Sequence, residues 1–121
     1  MATILVVDDD DGFRSMLRRT LQRAGHTVLE AADGSAALRA LRDVTPELVI
    51  TDIIMPGMEG IETIRAMRRS HPRLAIIAMS GGGRMKPNGY LEMAQAFGAS
   101  RILSKPFDND QLFAAVTEAL Q

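Results

Sequence analysis

Short apolar runs rich in β-branched residues alternate along this chain with segments whose apolar residues recur every three or four positions. No other feature constrains the fold as strongly. The runs are Thr3–Val7, Thr27–Ala31, Leu48–Thr51, Leu74–Met79 and Arg101–Leu103. Thr3–Val7 is apolar without alternation, as expected of a strand buried on both faces of a parallel sheet. Between the runs, Phe13, Met16, Leu17, Thr20, Leu21 and Ala24 share one helical face, and Gly25 suits the position just past the helix end. A second helix carries Ala36, Ala37, Leu38 and Leu41, and a third, after Gly60, carries Ile61, Ile64 and Met67. Tyr90, Met93, Ala94 and Phe97 mark a fourth. Leu112, Phe113, Val116 and Leu120 mark the last, with Asp108 or Asn109 as its N-cap. Crossovers of this length require parallel pairing with helices on both faces of the sheet. The reading is a single α/β domain over residues 1–121 with five strands and five helices.

Composition removes several classes of function. A formal net charge of −1 leaves no electrostatic footprint for nucleic acid or an anionic membrane. Without cysteine there is no disulfide or thiolate metal site. No run approaches the roughly 18 apolar residues of a membrane span, and Ile4–Val7 before four aspartates lacks the basic start of a signal peptide. The expected location is the cytoplasm, with no membrane partner. The Met1 start favours a natural N-terminus.

The chemistry-bearing residues gather at the carboxyl ends of the predicted strands. Asp8 and Asp9 follow the first, Asp52 the third, Ser80 the fourth and Lys105 the fifth. In an open parallel sheet those ends border the functional crevice. Polar residues end strands in any protein because loops are wet, but three carboxylates, a hydroxyl and a lysine together make a chemical set. Clustered carboxylates repel, and a bound cation relieves the repulsion. Oxygen-only ligands favour a hard ion, Mg²⁺ or Mn²⁺, and Mg²⁺ typically also coordinates a phosphate oxygen. Lys105 suits a phosphoryl oxygen as a point charge, Ser80 suits another as a donor, and a carboxylate can itself be the nucleophile.

Assembled in order, Val6-Val7-Asp8-Asp9, Asp52-Ile53-Ile54-Met55-Pro56-Gly57-Met58-Glu59-Gly60, Met79-Ser80-Gly81 and Lys105-Pro106-Phe107 resemble the receiver domain of two-component response regulators over essentially the whole chain. The resemblance implies a flavodoxin-like (βα)5 fold with strand order 2-1-3-4-5. It implies Asp52 as phosphoacceptor, and Asp9, Asp52 and the backbone carbonyl of Ile54 as Mg²⁺ ligands, with Asp8 assisting. Lys105 then contacts the phosphoryl group, Ser80 is the switch hydroxyl, and the Lys105–Pro106 bond is cis. The implied donor is a phosphohistidine on a sensor histidine kinase or a histidine phosphotransfer protein. The implied output is a change at the face formed by the fourth helix, fifth strand and fifth helix. Such a domain catalyses only its own phosphorylation and dephosphorylation and is not an enzyme.

Three places depart from the family pattern, the first being Ile54, two residues after the phosphoacceptor, where relatives are often polar and an apolar group limits water access. Ile102 stands where an aromatic residue is usual and reads as strand core. The segment Ser80 to Lys105 is about three residues longer than is common and carries Gly81-Gly82-Gly83, which suits a lid as well as a plain surface insertion. Arg14, Arg18, Arg19 and Arg23 read as a solvated helix face, and His26 and His71 as structural. The competing function is an aspartate-nucleophile phosphatase of the haloacid dehalogenase type. It needs a general acid two residues after the nucleophile, where this chain has Ile54. A flavin binder would need stacking aromatics, and aromatic residues are 4% of the chain.

Overall fold

The computed structural model describes residues 1–53, 60–81 and 98–121. Its strands are β1 (Thr3–Val7), β2 (Thr27–Ala31), β3 (Leu48–Asp52), β4 (Ala75–Gly81) and β5 (Arg101–Lys105). All pairings are parallel, in the order β2-β1-β3-β4-β5. Helices α1 (Asp11–Arg23), α2 (Gly34–Asp43) and α3 (Gly60–Ser70) and a C-terminal helix (Asn109–Ala119) connect and flank them. The helix predicted over Tyr90–Phe97 lies outside the described residues, as do Gly82 and Gly83.

Alternation along the strands builds two cores. Leu5, Val7, Val49, Ile76 and Ala78 face α2 and α3, where Ala37, Leu41, Ile64 and Met67 meet them. Ile4, Val6, Leu48, Ile50, Ile77, Met79 and Leu103 face the other way, toward Leu17 and Leu21 of α1 and Leu112 and Val116 of the C-terminal helix. Fully burying each large aliphatic side chain contributes about 1.5–3 kcal/mol. Either layer therefore outweighs any single cap.

Caps set the helix starts. Asp10 accepts from the Phe13 amide to open α1, and Asp33 accepts from Ala36 to open α2. At the C-terminal helix the choice between Asp108 and Asn109 falls to Asp108. Its carboxylate accepts from Gln111 N–H while the Gln111 side chain accepts from Asp108 N–H, a reciprocal arrangement worth about 1 kcal/mol. Gly25, at φ +98°, turns the chain out of α1 in a conformation that disfavours other residues.

Three strands and one side chain differ from expectation, and β3 extends by one residue to include Asp52. β4 starts at Ala75, because the Leu74 amide closes a turn onto His71, and it runs on through Ser80 to Gly81. β5 continues to Lys105, because pairing of Ser80 with Ser104 and Gly81 with Lys105 extends the ladder into polar residues. Ile102 is not core: it is 38% exposed on an edge strand, while its neighbour Leu103 turns inward at 8%.

Candidate functional site

The sheet order reverses between β1 and β3, and the carboxyl ends of these two neighbours carry the acids. Val7 pairs with Thr51, so Asp8 and Asp52 emerge side by side. Asp52 pairs with Met79, which sets Ser80 one step beyond it, and Gly81 pairs with Lys105. Thus Asp52, Ser80 and Lys105 are the terminal or near-terminal residues of strands rather than loop residues. Hydrogen-bonded backbone fixes each of them.

Asp8, Asp9 and Asp52 each offer a carboxylate oxygen, and the three oxygens lie within 4.8 Å of one another. Asp8 and Asp52 are buried, while Asp9 is exposed. One oxygen of Asp8 accepts from the Asp10 amide at 2.9 Å. Its other oxygen takes the Lys105 ammonium at 2.8 Å, and the same ammonium reaches Asp52 Oδ2 at 3.1 Å. Burial pulls the Lys105 pKa down, but the hydrogen bonds and charges of Asp8 and Asp52 outweigh it, and the net direction is upward. Lys105 is therefore a fixed positive charge at neutral pH.

Ser80 is 1% exposed, and its hydroxyl has no hydrogen-bond partner among the described residues. A buried hydroxyl left unpaired costs about 1–3 kcal/mol, so it fits a position that an incoming acceptor satisfies. The donor set has the character a hard divalent cation needs: oxygen ligands only, two of them buried, with room for water on the exposed Asp9 side. Ile54, whose carbonyl was expected as a further ligand, lies outside the described residues. The Lys105–Pro106 bond is cis, as expected.

Two contacts at the site were not foreseen. Arg14, read as part of a solvated face, donates to the backbone carbonyl of Asp8 at 2.7 Å and pairs with Glu30 at 3.0 Å and Asp11 at 2.7 Å. Arg18 joins Glu30 at 3.1 Å. These pairs pin the turn that carries the acids to β2. Phe13, read only as part of the apolar stripe of α1, lies with its ring beneath the Lys105 ammonium. The two histidines stay structural: His26 Nδ1 accepts from the Ala2 amide, and His71 Nδ1 contacts the Ser70 hydroxyl.

A cavity of about 690 Å³ lies away from the acids, lined by Pro46, Glu47, His71, Leu74 and Leu120 before the starts of β3 and β4. No helix among the described residues is long and apolar enough to cross a membrane.

Residues 4–117 match the model of the response regulator receiver domain. The DNA-binding transcriptional regulator NtrC of Escherichia coli (strain K12) is 36% identical over 117 residues, covering 97% of this chain and 24% of that protein. Sporulation initiation phosphotransferase F of Bacillus subtilis (strain 168) is 32% identical over 117 residues, covering 97% of this chain and 92% of that one. The crystal structure of the receiver domain of NtrX from Brucella abortus superposes with a TM-score of 0.91 at 33% identity, covering 97% of each chain. The chain spans about a quarter of the NtrC proteins it matches. With the acid cluster, the lysine and the buried hydroxyl at the ends of a β2-β1-β3-β4-β5 sheet, the chain belongs to the response regulator receiver domain family of two-component signalling.

Proposed function

We propose that Asp52 accepts a phosphoryl group from a phosphohistidine on a sensor histidine kinase or a histidine phosphotransfer protein. The observation that carries this reading is the Lys105 ammonium, held between Asp8 and Asp52 at 2.8 and 3.1 Å, with the buried Ser80 hydroxyl at the end of the next strand unpaired among the described residues. An Asp52 oxygen attacks phosphorus in line, the phosphorus–nitrogen bond breaks, and its electron pair returns to the imidazole. The transition state is loose, with negative charge on three equatorial oxygens. Lys105 offsets part of that charge from a position that needs little reorganisation. Asp8, Asp9 and Asp52, with the Ile54 carbonyl, would hold Mg²⁺ or Mn²⁺, which when bound supplies further charge stabilisation to the same oxygens. Ser80 donates its hydroxyl to a phosphoryl oxygen and so gains an acceptor that it lacks among the described residues.

The acyl phosphate is then lost to water, so the domain acts once per phosphorylation and is not a turnover enzyme. Ser80 lies on β4, next to β5, and its movement biases the neighbouring output face. The domain works in the cytoplasm and contacts no nucleic acid itself. The haloacid dehalogenase reading fails on chemistry, because Ile54 offers no general acid. The test is incubation with acetyl phosphate and Mg²⁺ followed by intact mass. One added phosphoryl group is expected in the native chain and none when a chelator replaces the metal. An unmodified mass with Mg²⁺ present would contradict the proposal.

A further inference from the structure

Phe13 sits on α1, one helical turn beyond the acids, and its contacts lead back to the site. The Asp10 amide donates to Asp8 Oδ1 at 2.9 Å, and Asp10 Oδ1 in turn accepts from the Phe13 amide at 3.0 Å. The ring presents its face to Lys105, with Nζ 4.0 Å from the centroid. Its position is fixed by an edge contact with Phe107, at 5.9 Å between centroids and 84° between planes. Phe107 lies two residues after Lys105, so the segment that carries the lysine also braces the ring it meets.

A lysine ammonium has three N–H donors and no acceptor. Two are directed at Asp8 and Asp52. The third side faces the negative face of the Phe13 ring, well inside the roughly 6 Å reach of a cation–π contact. The carboxylates that engage Lys105 also belong to the cluster that would hold the cation. A divalent ion held by those oxygens would compete with the ammonium for them. The Phe13 ring offers the ion no ligand atom, so its hold on Lys105 would not enter that competition.

We infer that Phe13 is a positioning residue for Lys105: its ring face holds the ammonium at the acid cluster when the carboxylates turn to a metal ion and a phosphoryl group. The inference rests on the assignment of Lys105 to phosphoryl transfer. A leucine at this position fills a similar apolar volume but has no π face, so it separates ring electrostatics from packing.

The test uses the whole chain, which holds only two lysines, Lys86 and Lys105. With lysine labelled at its ε-carbon, NMR reads two side chains. In the native chain the Lys105 ε-methylene signals are expected upfield of those of Lys86, shielded by the ring. In Phe13→Leu they move to the position of Lys86, and in Phe13→Tyr they stay upfield. Phosphorylation by acetyl phosphate at saturating Mg²⁺ is expected to slow about threefold to tenfold in Phe13→Leu and to be restored in Phe13→Tyr. Phe13→Met serves the same purpose if Phe13→Leu does not fold.

Unshifted lysine signals in the non-aromatic variant would overturn the inference, whatever the rate. So would a native rate in that variant with the signals shifted, or equal slowing in Phe13→Tyr. A native chain that takes up no phosphoryl group would instead remove the reading on which the inference rests, and the NMR comparison would still decide whether the ring holds the lysine.

Discussion

Lys105→Ala is expected to slow phosphoryl incorporation about tenfold to a hundredfold, somewhat less than the loss of a donor in a closed site, because this one opens to water. Time courses of intact mass with acetyl phosphate measure it. The same change removes the counter-charge of two buried carboxylates. Breaking a fully buried pair costs about 3–5 kcal/mol. The Lys105 side chain is 18% exposed and that of Asp52 10%, so screening lowers the expected destabilisation to about 1–3 kcal/mol in metal-free urea unfolding at neutral pH.

The pH dependence has a defined sign. Lys105 has a folded-state pKa raised above the ordinary 10.5. Its contribution is therefore fully present below that value and is lost as the pH rises through the higher folded-state value. The stability gap between native chain and variant should accordingly hold constant through neutral pH and close only in strong base. A gap that closed below pH 9 would mean that Lys105 is not held by the acids. Mg²⁺ should also stabilise the variant more than the native chain, since it no longer competes with an ammonium for the same oxygens.

Gly60→Ala is the second large effect, and it acts through the backbone. A Cβ at Gly60 would lie 2.3 Å from Ile53 Cα and 2.6 Å from the Ile53 carbonyl carbon and oxygen. These are backbone atoms directly after Asp52, so no side-chain rotation relieves the clash. α3 would have to move away from the end of β3. The expected destabilisation is about 2–4 kcal/mol, at the upper end for overpacking, against the gain of about 1 kcal/mol that Ala brings to an ordinary helix site. Urea unfolding measures the stability, and phosphorylation of the folded fraction should also fall because Asp52 shifts with Ile53. An unchanged midpoint would show that α3 adjusts freely and does not brace the site.

Much of this arrangement is readable from residue order alone, because the determining patterns are local. Thr3–Val7 and Thr27–Ala31 are runs rich in apolar and β-branched residues, and they are strands at those limits. Asp8, Asp9 and Asp52 meet because each follows or ends such a run and the parallel order makes β1 and β3 neighbours. What could not be read depends on partners distant in sequence. The ends of β4 and β5 are polar and glycine-rich, and only their pairing with each other keeps Ser80 to Gly81 and Ser104 to Lys105 extended. Arg14 looks like any outward-facing helical arginine until β2 brings Glu30 across from it, 16 residues on. Phe13 fits the apolar stripe of α1, and nothing local indicates that Lys105, far along the chain, ends above its ring. Ile102 follows the inward pattern of a central strand, but β5 is an edge.

The most direct test of the central claim is to locate the modification. An aspartyl phosphate is reduced by borohydride to homoserine, which survives proteolysis and marks its position in a peptide map. After treatment with acetyl phosphate and Mg²⁺, homoserine is predicted at Asp52 and nowhere else, and it should vanish in Asp52→Asn. Homoserine at Asp8 or Asp9, or undiminished labelling of the Asp52→Asn chain, would contradict the assignment of Asp52 as the nucleophile.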